Sequence, residues 1–360
     1  MVYTLLLSFI VIYLYVVRFN AKNIWEFALY FLPVGGLLIL VLGLQENVGT
    51  DYHSYYQLAQ GLRSIAWMAN RNEVLFIRLV QLVQKYGTPQ MLFGLVGIIQ
   101  VTFLMLISYE IKKLDLKLHD FFFLYFALSL VFFNQFNGIR QYIAVYIIVY
   151  ALLQLILLEK RLLFIALVIT ASFFHSSAIF FLAFLLLQKL KDINWPFRRI
   201  VIILGILLVI VILDPTPMIA WALSFTKYRS YITSTYFRRM GFLSILTKIP
   251  KLIVVLFVSY FLEKGELTES ERRLMNLGYM ACGVLIMSFS SSIIWRFYQY
   301  VDLFIVFPVL LFFDKEESGK LKFFIALALL FMLILKVVLF PKGEYLYNSI
   351  LLPTKVPVVW

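Results

Sequence analysis

Apolar residues run through the chain in long blocks, at 2–17, 26–44, 90–109, 120–134, 141–158, 162–174, 176–188, 200–213, 243–262, 273–292, 295–313 and 321–340, with short polar or basic flanks between them. A helix needs about 20 apolar residues to cross a hydrocarbon layer roughly 30 Å thick. Lipid offers no partners to backbone N–H and C=O groups, so blocks this dense must be helical, and the alternation of a transmembrane barrel strand is absent. The pattern predicts an all-α, polytopic membrane helical bundle of about 10–12 transmembrane helices. Two places depart from simple spans. The block 162–188 reads as two short helices meeting near His175. The segment from Glu73 to Tyr86 is amphipathic: at about 100° per residue Glu73, Arg78, Gln81, Gln84 and Lys85 fall on one half, with Leu75, Phe76, Leu79, Val80, Leu82, Val83 and Tyr86 opposite. That predicts an interfacial helix lying flat in the outer headgroup region.

Composition agrees with the pattern: of 360 residues 63% are hydrophobic and only 14% charged, and mean hydropathy is +0.93. The first run, 2–17, lacks a basic n-region and a cleavage site before Arg18 and reads as a retained span. The lone Cys282 sits in an apolar block, which excludes an intrachain disulfide and points to packing. The formal charge of +13 is explained first by residues that fix orientation, so nucleic acid is not an expected partner. With a break at His175, the clusters Arg18/Lys22, Lys112/Lys113/Lys117, Lys160/Arg161, Lys189/Lys191/Arg198/Arg199, Arg272/Arg273 and Lys315/Lys320/Lys322 share one side, the cytoplasmic one. A continuous helix there would invert everything after it, and the loop 214–251 is itself basic, with Lys227, Arg229, Arg238, Arg239, Lys248 and Lys251. The broken version leaves 45–89, 134–141 and 214–242 on one outer face. No internal repeat or linker appears, so residues 1–360 read as one integral membrane domain.

Polar residues concentrate in a few motifs. Gly49-Thr50-Asp51-Tyr52-His53-Ser54-Tyr55-Tyr56 crowds an acid, an imidazole and tyrosines, either as a carbohydrate-facing patch or as an interfacial aromatic belt. Asn134-Gln135-Phe136-Asn137-Gly138-Ile139-Arg140-Gln141 puts an arginine at membrane depth, where it is costly and usually faces the bundle interior. The bland alternative is a turn on Asn137-Gly138 with Arg140 snorkelling to headgroups. Ala171-Ser172-Phe173-Phe174-His175-Ser176-Ser177-Ala178 places a histidine mid-membrane. Arg296, in Trp295-Arg296-Phe297-Tyr298-Gln299-Tyr300, and the tyrosine-containing basic loop from Lys227 to Arg239 complete the set. Arginine forks bind phosphate bidentately, so these residues suggest an anionic ligand such as a pyrophosphate. No P-loop, dinucleotide-binding glycine pattern, Asp-x-Asp pair or metal-spaced cluster is present, which disfavours nucleotide-driven or metal-dependent chemistry.

In this order the motifs resemble the EpsG-type branch of the Wzy-like polysaccharide polymerases. Gly49-Thr50-Asp51-Tyr52 with Tyr55 is similar to the family's Gly-Thr-Asp-Tyr signature, Glu73 and its helix occupy the expected place, and Asn137 with Arg140-Gln141 matches an Asn-x-x-Arg-Gln turn. Phe174-His175-Ser176-Ser177-Ala178 matches a Phe-His motif, and Tyr228 to Tyr231 and Arg296 to Tyr300 fit looser ones. Val74 departs from the small residue or proline that often follows the glutamate.

The resemblance implies a multi-pass glycosyltransferase of the bacterial cytoplasmic (inner) membrane, serving exopolysaccharide, capsule or O-antigen synthesis. It would join oligosaccharide repeat units carried on polyprenyl (undecaprenyl) pyrophosphate, with the active site facing outward and without cofactor or metal. Expected partners are the lipid-linked oligosaccharide, membrane lipids, a chain-length regulator and a flippase. On this reading Arg140, Arg296 and Arg239 are the candidate cations for the leaving pyrophosphate, and either Asp51 or His175 accepts the proton of the attacking hydroxyl. Tyr52, Tyr55, Tyr228 and Tyr231 would line the saccharide path, and Thr50, Glu73, Asn137, Gln141 and Tyr300 are further candidate substrate-binding residues. A flippase or transporter of lipid-linked oligosaccharide, and a membrane O-acyltransferase relying on a buried histidine, are the alternatives.

Overall fold

The structure is a computed structural model, and it describes all residues except 1, 18, 226–228, 230–231, 234–236, 317, 340–342 and 352–360. It is helical throughout, with a lone antiparallel bridge between Gln45 and Ser349 among the described residues. In chain order the helices are α1 Val2–Val16, α2 Ile24–Gly43, α3 Tyr52–Ala59, α4 Ala66–Ala69, α5 Val74–Tyr86, α6 Pro89–Lys113, α7 Leu118–Leu124, α8 Val131–Asn134, α9 Ile139–Leu158, α10 Arg161–Phe174 and α11 Phe184–Leu187. There follow α12 Phe197–Ile212, α13 Thr216–Ser224, α14 Phe242–Leu246, α15 Ile249–Leu262, α16 Glu269–Met287, α17 Ser292–Val301, α18 Val306–Lys315 and α19 Gly319–Leu339. Among the described residues six stretches are long and apolar enough to cross a membrane, or seven if the bent pair α12 and α13 is one span. The chain is a multi-pass membrane protein.

Every apolar block in the sequence is helical here, but the block 120–134 is not one span. After α7 it passes through a π-helical turn, Tyr125–Ser129, and Leu130 turns left-handed at φ +60° before α8. The Ser129 hydroxyl, donating to the Tyr125 carbonyl at 2.7 Å, satisfies backbone freed at that irregularity. The break expected near His175 is present: α10 ends at Phe174, His175 is extended at φ −147°, and Ser176–Ala183 continues as a 3-10 helix. The 81° bend between α12 and α13 sits at Asp214, left-handed at φ +62°, whose carboxylate accepts from the Thr216 N–H and hydroxyl.

The described residues form two compact units, 1–188 with 329–360, and 189–328. In the first, α9 is buried along nearly its whole length and packs against α6 and α10, while α6 packs against α2. A Cβ on Gly43 would lie 3.2 Å from the Gly94 Cα, so α2 and α6 approach backbone to backbone, as small residues allow in membranes. The α2 residues Phe27, Phe31, Val34, Leu38 and Leu42 face this core, and Trp25, Leu29, Leu32 and Leu40 are exposed, as lipid contact requires.

Aromatic contacts order the two ends of this unit. Tyr15 meets His119 and Phe27 meets Tyr109 at the end that carries Lys22, Lys112, Lys113 and Lys117. Tyr3 meets Phe132, Phe133, Phe136 and Tyr347 at the other end, where the chain from 343 to 350 is clipped to the loop after α2 through Glu46 N–H to Asn348 O (3.0 Å) and Ile350 N–H to Leu44 O (3.1 Å).

In the second unit α16 packs against α12, α17 and α18, and α15 packs against α18. Thr268 and Glu271 cap α16 reciprocally, a capping box. The basic end of this unit is tied by Arg273 to Asp192 (2.8 Å), Lys315 to Glu271 (3.0 Å) and the Phe197 N–H to Glu263 (2.8 Å).

Candidate active site

Four sequence motifs come together in the first unit, beginning at Gly49. This residue is left-handed at φ +79°, and a Cβ on it would lie 2.7 Å from the Asn137 side-chain oxygen and 2.9 Å from the Phe136 carbonyl. Only glycine fits the turn and the contact together. The next residue uses that closeness: Thr50 donates its N–H (2.7 Å) and hydroxyl (3.2 Å) to the Asn137 side chain. Gly49→Ala is therefore expected to cost about 1–3 kcal/mol from strain alone, read as a lower unfolding temperature in detergent together with weakened activity. An unchanged melt would show that the loop adapts.

Three residues beyond Asn137, Arg140 stands in the first turn of α9, 6% exposed, and forms an ion pair with Glu73, which is 0% exposed. This corrects the amphipathic reading. Helix α5 forms as expected, with Arg78, Gln81, Gln84 and Lys85 toward solvent and Phe76, Val80 and Val83 buried, but Glu73 points inward rather than joining the polar face. Its other carboxylate oxygen accepts the Ser176 N–H at 3.1 Å, which brings the break after α10 to the same place. With one oxygen on Arg140 and one on Ser176, Glu73 ties α5, α9 and the break after α10 together.

The Arg140 guanidinium lies 4.4 Å from the centre of the Trp67 indole and 6.0 Å from that of the Phe76 ring, while Arg140 Nε is buried with no hydrogen-bond partner among the described residues. Tyr55, half-buried and T-shaped against Phe76 at 5.9 Å between ring centres, shares this environment. Burial raises its hydroxyl pKa, the Arg140 charge opposes the rise, and the Asp51 and Glu73 carboxylates add to it, so the phenol stays a protonated donor. Asp51 is half-buried at the start of α3 and spends no hydrogen bond on capping it. His175, 9% exposed, has Nδ1 at 2.8 Å from the Ser177 hydroxyl. Tyr52, by contrast, is buried, stacked on Phe93 at 4.7 Å and bonded through its hydroxyl to Gln90 (3.1 Å), and Gln141 is buried in α9.

The other expected residues belong to the second unit. Arg296 is half-buried on α17 and Tyr300 is buried there. Arg239 is exposed and donates to the Val211 carbonyl (2.6 Å), closing the C-terminal end of α12. Tyr228 and Tyr231 lie outside the described residues. This unit also holds an ion pair that sequence reasoning missed. Lys251, counted there as a loop cation, is 5% exposed inside α15 and lies 2.9 Å from Asp302, 0% exposed, to which the Tyr298 hydroxyl also donates (2.5 Å). A lysine and an aspartate inside apolar runs were the available signal.

The model of the EpsG family matches residues 27–349. The chain belongs to the EpsG family. That family is of the Wzy-like polysaccharide polymerase type, so the motif resemblance and the family match agree. No curated protein and no solved structure matches the chain. The matched region of this EpsG-family protein takes in Gly49, Thr50, Glu73, Asn137, Arg140 and Ser176, the residues that meet in the first unit.

Proposed function

We propose that this EpsG-family protein joins oligosaccharide repeat units by glycosyl transfer from one polyprenyl pyrophosphate carrier to the terminal sugar of another, at the outer face of the bacterial cytoplasmic membrane. One observation carries the reading: a buried arginine, braced by Glu73 and left with an unpartnered Nε among the described residues, sits where the motif segments at 49–55, 73, 137–140 and 175–177 converge. A leaving lipid pyrophosphate develops charge that a preorganised guanidinium stabilises, and a site braced in advance does so without reorganising. The outward orientation is supported by Lys22, Lys112, Lys113 and Lys117, which lie at the opposite end of this unit. The reading rests on groups of the first unit alone.

Asp51 is the proposed acceptor of the attacking hydroxyl's proton, because it lies beside Tyr55 and is more open than His175. Purified protein in liposomes, given only lipid-linked repeat units, is expected to build polymer without nucleotide sugars. Asp51→Asn should lower that turnover at least about a hundredfold, whereas His175→Asn should keep the slope of the pH–rate profile. Loss of that slope in His175→Asn would move the base role to His175, and failure of the wild type to make polymer would remove the polymerase reading.

A further inference from the structure

Trp67 lies against Arg140, yet it belongs to none of the sequence motifs and takes no part in the proposed reaction. It stands on the four-residue α4, and the chain doubles back immediately after it. The Asn72 N–H reaches the Ala69 carbonyl (2.9 Å), Asn72 is left-handed at φ +59°, and the Glu73 N–H reaches the Met68 carbonyl (3.2 Å). One turn therefore presents two groups to the same guanidinium, the Glu73 carboxylate as an ion-pair partner and the Trp67 indole at 4.4 Å. The Arg71 guanidinium also lies near the indole, 5.6 Å from its centroid. Although it covers a buried group, Trp67 is still 44% exposed.

A guanidinium offers five N–H donors in a rigid fork, and its direction is set by what holds the rest of the group. Here the carboxylate and the indole hold it, and Nε is left buried without a partner among the described residues. A group that meets this donor must accept a hydrogen bond, and beside a guanidinium charge an oxyanion does so best. The open part of an indole beside it suits the C–H face of a sugar ring. A sugar phosphoester carries both features on adjacent atoms.

We propose that Trp67 and Arg140 form the donor subsite, in which Nε takes a phosphoryl oxygen of the carrier pyrophosphate and the exposed part of the Trp67 indole seats the first sugar attached to it. Trp67 acts as a positioning residue for Arg140 and as a stacking surface for that sugar. The proposal rests on the polymerase reading for the identity of the donor, while the anion subsite itself does not.

The test is equilibrium binding to protein in phosphatidylcholine nanodiscs, with inorganic pyrophosphate and a polyprenyl-pyrophosphate-linked repeat unit as separate probes. Trp67→Ala is expected to weaken inorganic pyrophosphate about tenfold and the lipid-linked repeat by a larger factor, because the second probe also loses its sugar contact. Trp67→Phe should keep most of both affinities, and Trp25→Ala, a change at an exposed tryptophan of α2, should leave both alone. If Trp67→Ala does not insert, Trp67→Leu, which keeps bulk without an aromatic face, is expected to show the same losses.

Wild-type affinity for inorganic pyrophosphate in Trp67→Ala overturns the positioning role. Equal losses for the two probes overturn the sugar seat. Suppression of pyrophosphate binding in phosphatidylglycerol nanodiscs would identify a phospholipid headgroup as the occupant and overturn the donor assignment. Trp67-dependent pyrophosphate binding in a protein that makes no polymer supports the anion subsite and counts against the polymerase reading alone.

Discussion

Arg140→Ala is expected to abolish high-molecular-weight polymer, with turnover down about a thousandfold, while lipid-linked single repeats accumulate in the membrane. Two losses coincide in this variant. The fork proposed to meet the leaving phosphate is gone, and Glu73 is left buried with only the Ser176 N–H to neutralise it. Breaking a buried pair by removing one partner costs about 3–5 kcal/mol, so insertion and melting temperature must be measured beside polymer length. Glu73→Gln separates the two effects: its amide still accepts from Ser176 but leaves the Arg140 charge uncompensated, so stability should fall by a similar amount. Arg140→Lys keeps the charge and loses the planar fork. It should hold the fold and still fail to polymerise at the wild-type rate. Wild-type chain lengths in a stable Arg140→Lys protein would reduce Arg140 to half of a structural ion pair.

The parts of this site that could be read in the sequence are those where a polar residue interrupts an apolar block. The turn at Asn137-Gly138, the arginine after it and the break at His175 all announce themselves as polarity at membrane depth, which lipid does not tolerate without cause. Gly49 and Thr50 were visible as part of a polar cluster, but not their bond to Asn137, because 87 residues separate Thr50 from that partner. Glu73 failed for a specific reason. Helical periodicity assigns faces only to residues inside the helix, and Glu73 is the cap before Val74, with backbone angles of −84° and 54°. Its side chain therefore leaves in a direction the helix does not set. Trp67, on a helix of one turn, carried no periodicity to read.

The same logic accounts for the block 120–134. Hydropathy registers its apolar character and is blind to a π turn and a left-handed leucine, since neither changes composition. Lys251 was hidden differently. It follows a run of basic loop residues and was counted with them, whereas α15 begins at Ile249 and carries it into the interior.

Lys251 and Asp302 supply the second large effect. Asp302→Asn should lower the stability of the detergent-solubilised protein by about 3–5 kcal/mol, because the Lys251 ammonium, 5% exposed, would lose the carboxylate that now balances it. Lys251→Met should do comparable damage from the other side, since Asp302 already has one oxygen, Oδ2, buried without a hydrogen-bond partner among the described residues and would keep only the Tyr298 hydroxyl of the two donors to Oδ1. Replacing both side chains with apolar ones, Lys251→Met together with Asp302→Leu, should recover much of the loss, because a buried ion pair exchanged for well-packed apolar groups is often neutral. Equilibrium unfolding of the wild type, the two single variants and the double variant makes the comparison, and a fully stable Asp302→Asn protein would mean that the pair contributes no net energy. Polymer length measured on the same four proteins then divides structure from function. If the double variant regains both stability and polymer, the pair serves folding. If it regains stability and still makes no polymer, the charges act in the reaction cycle, as ionisable groups kept inside a membrane at such cost commonly do.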